Sequence, residues 1–390
     1  MDVTAIINQL KHISNAGEKS RLIDELIRQV QKTGAPVVEN GTNVTFLYRG
    51  DAQNVGIIGD LTDWKTTEYF ERIPETDLFF LQMELPSDAR LEYNLIIDDA
   101  EFLAVDPLNP FKSLNGLGEL SELTMPEYVH HPLFREYRSG KKGGFDRVQS
   151  HEIPAGALGY SHTVHVYLPP EYASEKRSYP VVYFQDGEDY IEFAQVPHVL
   201  DQLIGDSLIE PIIAVFEAPP NRHLPASPNR MTQYGMNDNF VKFYTDELVP
   251  FIDSRYLAKP TSSSRLVVGA SFGGLIAAYI AFQRPEIFGM AYSQSGYASF
   301  QNDRLINAFR ESDRKPIRLY VDIGHFERFV GGMFLPAAET DFLAGNRRLR
   351  DALTAKNYDV VYREYPEGHT WGNWRRHLID GLIHFFGVQQ

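Results

Sequence analysis

A serine hydroxyl is a weak nucleophile at neutral pH, and it does acyl-transfer chemistry only when a base, usually histidine, is held beside it by a third group. The residues to look for are therefore a serine in a constrained turn, a histidine on a later loop and a carboxylate. Ser271 stands in Gly269-Ala270-Ser271-Phe272-Gly273, which fits Gly-x-Ser-x-Gly, the strand-to-helix elbow whose neighbouring positions must lack side chains. Gly and Ser at ordinary frequencies produce that pattern in roughly one chain in eight of this length. The five residues alone decide little, so their flanks carry the argument.

Those flanks form one uncharged run, Leu266–Phe282. Its length sits at the lower edge of the roughly 17 to 25 residues that cross a bilayer, but Gly273-Gly274 interrupts the continuous helix a span requires. Leu266-Val267-Val268 instead reads as a buried parallel strand and Leu275–Phe282 as an Ala-rich buried helix, the context an elbow demands. Ser271 is the expected nucleophile, with the backbone N–H of Phe272 as one oxyanion donor. A second donor is expected from the loop after an early strand. Val181-Val182-Tyr183-Phe184-Gln185-Asp186-Gly187-Glu188 offers the N–H of Glu188 there, although a plain turn reads equally well.

In elbow enzymes the order along the chain is Ser, acid, His. Of the later histidines, His377 and His384 fall in a terminal helical stretch and His325 follows the strand Leu319–Ile323. His369, in Pro366-Glu367-Gly368-His369-Thr370-Trp371, lies in a loop just beyond a strand, where a base can reach the elbow. It is the expected base. The acid should leave the loop before that strand, where Asp322, Glu327, Glu339 and Asp341 are the candidates. Asp322 falls inside the strand and Glu327 opens a Gly-rich insertion, so Asp341 is expected, with Glu339 as the alternative.

The rest of the chain must position these groups. Its 390 residues allow two domains or one large one, and a net charge of −15 argues against nucleic-acid or anionic-membrane binding. With no cysteine, thiolate catalysis, disulfides and Fe–S clusters are excluded. An early acid and the lack of a long apolar N-terminal core point to a cytoplasmic protein. No metal is expected, because His130-His131 and the His162/His165 pair lack a carboxylate at ligand spacing. Gly116-Leu117-Gly118 resembles the start of a dinucleotide loop, but no strand precedes it.

Helical spacing marks residues 1–35, split near Asn15-Ala16-Gly17. Short β-prone runs follow, among them Val44–Tyr48, Val55–Gly59, Leu78–Met83 and Leu91–Ile96. Residues 36–145 thus read as a small β-sandwich. From 146 to 390, apolar strands alternate with helices as an α/β fold requires, at His162–Leu168, Val181–Phe184, Ile212–Phe216, Leu266–Gly269, Met290–Ser293, Leu319–Ile323 and Val360–Tyr365.

Three motifs in order, Tyr179–Gly187, Gly269–Gly274 and Gly368–Arg375, resemble the Putative esterase family, and within it the enterochelin (enterobactin) esterases, which share the His-x-x-x-x-Trp-Arg ending. The resemblance implies an α/β-hydrolase domain behind an early-set immunoglobulin-like module, with Ser271 and His369 catalytic and no cofactor. It also implies an acid ahead of an Asn-Arg-x-Leu helix start, matched by Asn346–Leu349, which favours Asp341; the insertion His325–Ala338 departs from the family's compact loop. Enterochelin esterases cleave a cyclic catecholate trilactone, and relatives hydrolyse feruloyl or acetyl esters on polysaccharides. The expected substrate is therefore a small-molecule or glycan-linked ester, contacted by Arg230, Trp371 and Arg375. Trp64 occupies a familiar position of the N-terminal module, whose relatives bind glycans through aromatic platforms. A glycan-binding protein with an inactive hydrolase domain is the reading outside enzymes, and the intact Ser, acid and His set speaks against it.

Overall fold

The computed structural model describes residues 2–116, 118–133, 144–172, 174, 177–219, 228–331 and 335–388. Leu117 of the Gly-Leu-Gly motif, residues 134–143 of the stretch between the domains and residues 332–334 of the expected insertion lie outside them. The chain divides into two units. One is Met1–Val129 with His325–Gly332 and Tyr365–Thr370, and the other is the remainder.

The first unit begins with two helices, Val3–His12 and Ala16–Thr33, capped by Asp2 and Asn15 side chains. Nine strands follow: β1 Val37–Glu39, β2 Asn43–Arg49, β3 Val55–Gly59, β4 Glu68–Tyr69, β5 Glu71–Arg72, β6 Leu78–Glu84, β7 Arg90–Ile97, β8 Lys112–Asn115 and β9 Gly118–Thr124. They form two antiparallel sheets, β1-β2-β6-β5 and β4-β3-β7-β9-β8. Val44 and Phe46 alternate into a core shared with Val55, Ile57, Leu91, Tyr93 and Leu95. Leu47, Leu78 and Phe80 instead join Ile7, Leu10, Leu26 and Val30 of the helices. The first sheet is thus covered on both faces, and this is why β2 reads as a continuous apolar run rather than an alternating one.

The second unit holds β10 Val148–Ala155, β11 Tyr160–Tyr167, β12 Val181–Phe184, β13 Ile213–Glu217, β14 Arg265–Ala270, β15 Met290–Gln294, β16 Arg318–Gly324 and β17 Asp359–Tyr365. Their order is β10-β11-β13-β12-β14-β15-β16-β17. β11 runs antiparallel to β13, and β13, β12, β14, β15 and β16 are mutually parallel neighbours. Such strands are buried on both faces by helices, so Val181, Val182, Leu266, Val267 and Val268 carry no polar alternation. β12 pairs with β13 on one side and β14 on the other, so the sheet reverses its winding there. Ligands bind beyond the carboxyl ends of strands at such a reversal.

The uncharged run resolves as the end of β14 followed by a helix of 12 residues, Phe272–Gln283. Among the described residues, no helix is long and apolar enough to cross a membrane.

Candidate active site

Ser271 sits where β14 turns into the helix Phe272–Gln283, at φ 60° and ψ −121°. Such a backbone costs a residue with a side chain on the order of 1–3 kcal/mol, so neighbours must over-determine it. They do. The Ser271 N–H donates to the Gln294 carbonyl at 2.9 Å, and its own carbonyl accepts from the N–H groups of Leu275 and Tyr297, each at 3.1 Å. A Cβ on Gly269 would stand 2.3 Å from the Gly273 carbonyl carbon, so the turn closes only without a side chain there. The Phe272 N–H opens the first turn of its helix, where no intrahelical acceptor exists.

A cavity of about 260 Å³ opens on Ser271, lined by Asp186, Asp189, Arg230, Ala270, Trp371 and Trp374. Its residues come from the carboxyl ends of β12 and β14, the helix Arg230–Tyr234 and the start of the last helix, Trp371–Phe386. The two indoles stand edge to face with centroids 4.9 Å apart. Trp371 also packs on Tyr190 at 5.0 Å, and Trp374 Nε1 donates to Ser295 Oγ at 2.9 Å. Arg230 grips Asp186 with a fork, Nε to Oδ1 at 2.5 Å and Nη2 to Oδ2 at 2.7 Å. Burial opposes the charge on Arg230, but the Asp186 carboxylate outweighs it and raises the guanidinium pKa above its ordinary value. Asp186 is fixed from behind as well: its N–H donates to Tyr234 Oη, which donates in turn to Glu217.

Asp186 takes a left-handed backbone (φ 53°) at the end of β12 and caps the short helix Gly187–Glu192. The N–H of Glu188, the expected second oxyanion donor, belongs to the first turn of that helix, where it has no intrahelical acceptor. Its carboxylate lies 3.7 Å from His165 Nε2.

His369 lies in the other unit, in the segment Tyr365–Thr370. Its Nδ1 meets Glu327 Oε2 at 2.6 Å, and the Glu327 side chain has no solvent exposure. An anionic carboxylate can only accept, so Nδ1 carries the proton and Nε2 is left as the basic nitrogen. The two loops run side by side: the His325 N–H donates to the Tyr365 carbonyl at 2.7 Å and the Phe326 N–H to the Glu367 carbonyl at 3.1 Å.

Asp341, expected as the partner of His369, has another task. It is the N-cap of the helix Phe342–Ala355, its carboxylate accepting from the Ala344 N–H at 2.8 Å. The alternative, Glu339, accepts from the Tyr297 hydroxyl and the Asn302 N–H. The carboxylate at His369 is that of Glu327, the third residue past β16, which its glycine-rich surroundings made look like part of an insertion. Position relative to the strand end was the usable signal. Arg230 and Trp371 line the cavity as expected. Arg375 is half-buried one residue past Trp374 and is not among the lining residues. Asp186, Asp189 and Trp374 were not anticipated there. Half-buried Trp64 donates from Nε1 to Asp60 Oδ1 at 2.8 Å.

The strand order and the elbow together define an α/β-hydrolase. Residues 155–385 match the Putative esterase family, and the chain belongs to it. It is 24% identical over 415 residues to an iron(III) salmochelin esterase of Escherichia coli O6:H1, spanning 97% of this chain and 96% of the relative. Over 166 residues it is 31% identical to an endo-1,4-beta-xylanase/feruloyl esterase of Xylanibacter ruminicola, spanning 40% of this chain and 22% of that one. A ferric enterobactin esterase from Salmonella typhimurium has the same fold, with a TM-score of 0.74 at 20% identity over 90% of this chain and 96% of that one. The resemblance to enterochelin esterases expected from the three motifs thus holds across both units.

Proposed function

We propose that the chain is a serine esterase working through an acyl-enzyme. Ser271 Oγ attacks the ester carbonyl carbon while His369 Nε2 takes its proton. Glu327 keeps the imidazole in the required tautomer and stabilises the imidazolium that forms. The Phe272 and Glu188 N–H groups receive the oxyanion. Collapse of the tetrahedral intermediate expels the alcohol, protonated by His369. Water, activated by the same histidine, then releases the acid and restores Ser271. The observation that carries this reading is the strained backbone of Ser271, stabilised by hydrogen bonds at its N–H and carbonyl. Strain of this kind at an exposed nucleophile belongs to catalysis rather than to folding.

For the substrate we propose a multi-ester siderophore of the enterobactin kind. Support comes from the salmochelin esterase, whose likeness runs through both units, and from the indole pair and Arg230 around the cavity, suited to aromatic and anionic groups. A feruloyl ester on a polysaccharide is the second reading, favoured by the higher identity to the xylanase/feruloyl esterase over a shorter stretch. The test is a panel of esters from p-nitrophenyl acetate to feruloyl sugars and ferric enterobactin. The siderophore reading expects the highest kcat/KM on the trilactone. Preference for feruloyl sugars replaces it with the second reading, and no hydrolysis of any ester refutes both.

A further inference from the structure

The histidine loop belongs to the N-terminal unit by its contacts. Gly368, directly before His369, lies flush on a side chain of that unit: a Cβ there would be 2.0 Å from Asp60 Cγ and 2.1 Å from Oδ1. Asp60 is 1% exposed and cannot swing away, because its carboxylate accepts from the Glu92 N–H at 2.7 Å and from Trp64 Nε1 at 2.8 Å. On the same loop, the Pro366 carbonyl accepts from the Arg90 N–H at 3.2 Å, and Arg90 forms a parallel bridge with Glu367. Arg90 is itself fixed, its Nη2 donating to Glu92 Oε1 at 2.7 Å and to Glu122 Oε2 at 2.6 Å. The segment carrying Glu327 is seated alike. Phe326 packs against the sandwich core, and Lys65 Nζ lies over the Phe329 ring, 4.3 Å from its centroid.

We infer that the N-terminal unit positions the base for catalysis, with Asp60 and β7 forming the seat on which Gly368 sets the angle of His369. This rests on the reading of His369 as base. It makes Asp60 a positioning residue and gives the module a part in hydrolysing every ester, rather than only in selecting large ones. Displacing a reacting group by about 1 Å can cost roughly 10² in rate, so a seat this close-fitting has a measurable role.

The test uses the full chain and compares Gly368→Ala, Asp60→Ala and the double variant. Kinetics are measured on p-nitrophenyl acetate and on the best large ester, and the downfield proton resonance of His369 Nδ1–H is followed by NMR. Gly368→Ala should lower kcat by roughly 10²-fold on both esters, with KM changed less than about twofold, and should shift or broaden the resonance. Adding Asp60→Ala removes the atoms the new methyl strikes and should recover on the order of tenfold in kcat. Should Gly368→Ala fail to fold, Trp64→Phe, which frees Asp60 from its indole donor, should still lower kcat on both esters severalfold. Full activity in Gly368→Ala, a loss confined to the large ester, or no recovery in the double variant would overturn the inference. His369→Ala is run beside them. If it remains active, the assignment of the base fails, an outcome distinct from failure of the seat.

Discussion

The surroundings of Ser271 and of His369 solve one problem, fixing a side chain to within a fraction of an ångström, by opposite means. The elbow is written in consecutive residues: a strand, a serine at positive φ, and glycines where a Cβ would strike the backbone of the same turn. The base is assembled from segments near residues 60, 90, 327 and 368, each held by the others. A local motif survives relocation to any sheet that offers it a strand and a helix. A distributed seat fails when any one part moves, and it ties activity to the folding of the whole N-terminal unit.

The largest effect expected is at the elbow. Ser271→Ala should lower kcat by about 10⁴–10⁶-fold while thermal unfolding stays within a few degrees, checked by steady-state kinetics and calorimetry. Near-normal hydrolysis would remove the serine from the mechanism. The next effect separates the two kinds of constraint. Gly269→Ala strikes backbone, so no side-chain substitution elsewhere should restore it, whereas Gly368→Ala strikes the Asp60 carboxyl and should be rescued by Asp60→Ala. A rescue screen that relieves Gly269→Ala from a distant position would erase the distinction.

A third test sits in the seat itself. Burial first, and then the charge of Glu92, push the Asp60 carboxyl from 3.8 up to about 7, while its hydrogen bonds from the Glu92 N–H and Trp64 and the charge of Arg90 pull it down. The folded state then binds a proton that the unfolded chain has released, so Asp60 makes stability fall as pH rises from about 4 to about 7. Replacing it by Asn should flatten that decline, by up to a few kcal/mol at the upper end, in urea unfolding followed across the range. An unchanged slope would mean that Asp60 ionises normally. The smallest effect belongs to the carboxylate that resembles a triad acid only in sequence. Asp341→Ala should leave kcat within about twofold and cost about 1 kcal/mol, the worth of a helix cap.

What could be read from the sequence follows the same division. β12 runs Val181–Phe184 as its apolar residues indicate, and β14 extends one residue beyond Leu266–Gly269 at each end because Arg265 and Ala270 also pair. β10, Val148–Ala155, escaped notice because an edge strand presents Gln149, Ser150, His151 and Glu152 rather than an apolar run. Asp238–Arg255 reads as one helix, but its middle, Phe243–Leu248, widens to a π turn that no side-chain pattern announces. Glu327 was passed over for a related reason. Its burial depends on Phe326 meeting a core built from residues 44 to 125, and spacing along the chain carries no trace of that contact.

The account stands or falls on the pairing of His369 with Glu327. The direct measurement is the rate at which a p-nitrophenyl phosphonate labels Ser271 under single-turnover conditions, compared among the unmodified chain, Glu327→Gln and Asp341→Asn. The account predicts labelling of Ser271 alone, slowed by orders of magnitude in Glu327→Gln and essentially unchanged in Asp341→Asn. The reverse pattern, with Glu327→Gln as fast as the unmodified chain and Asp341→Asn slow, would contradict it.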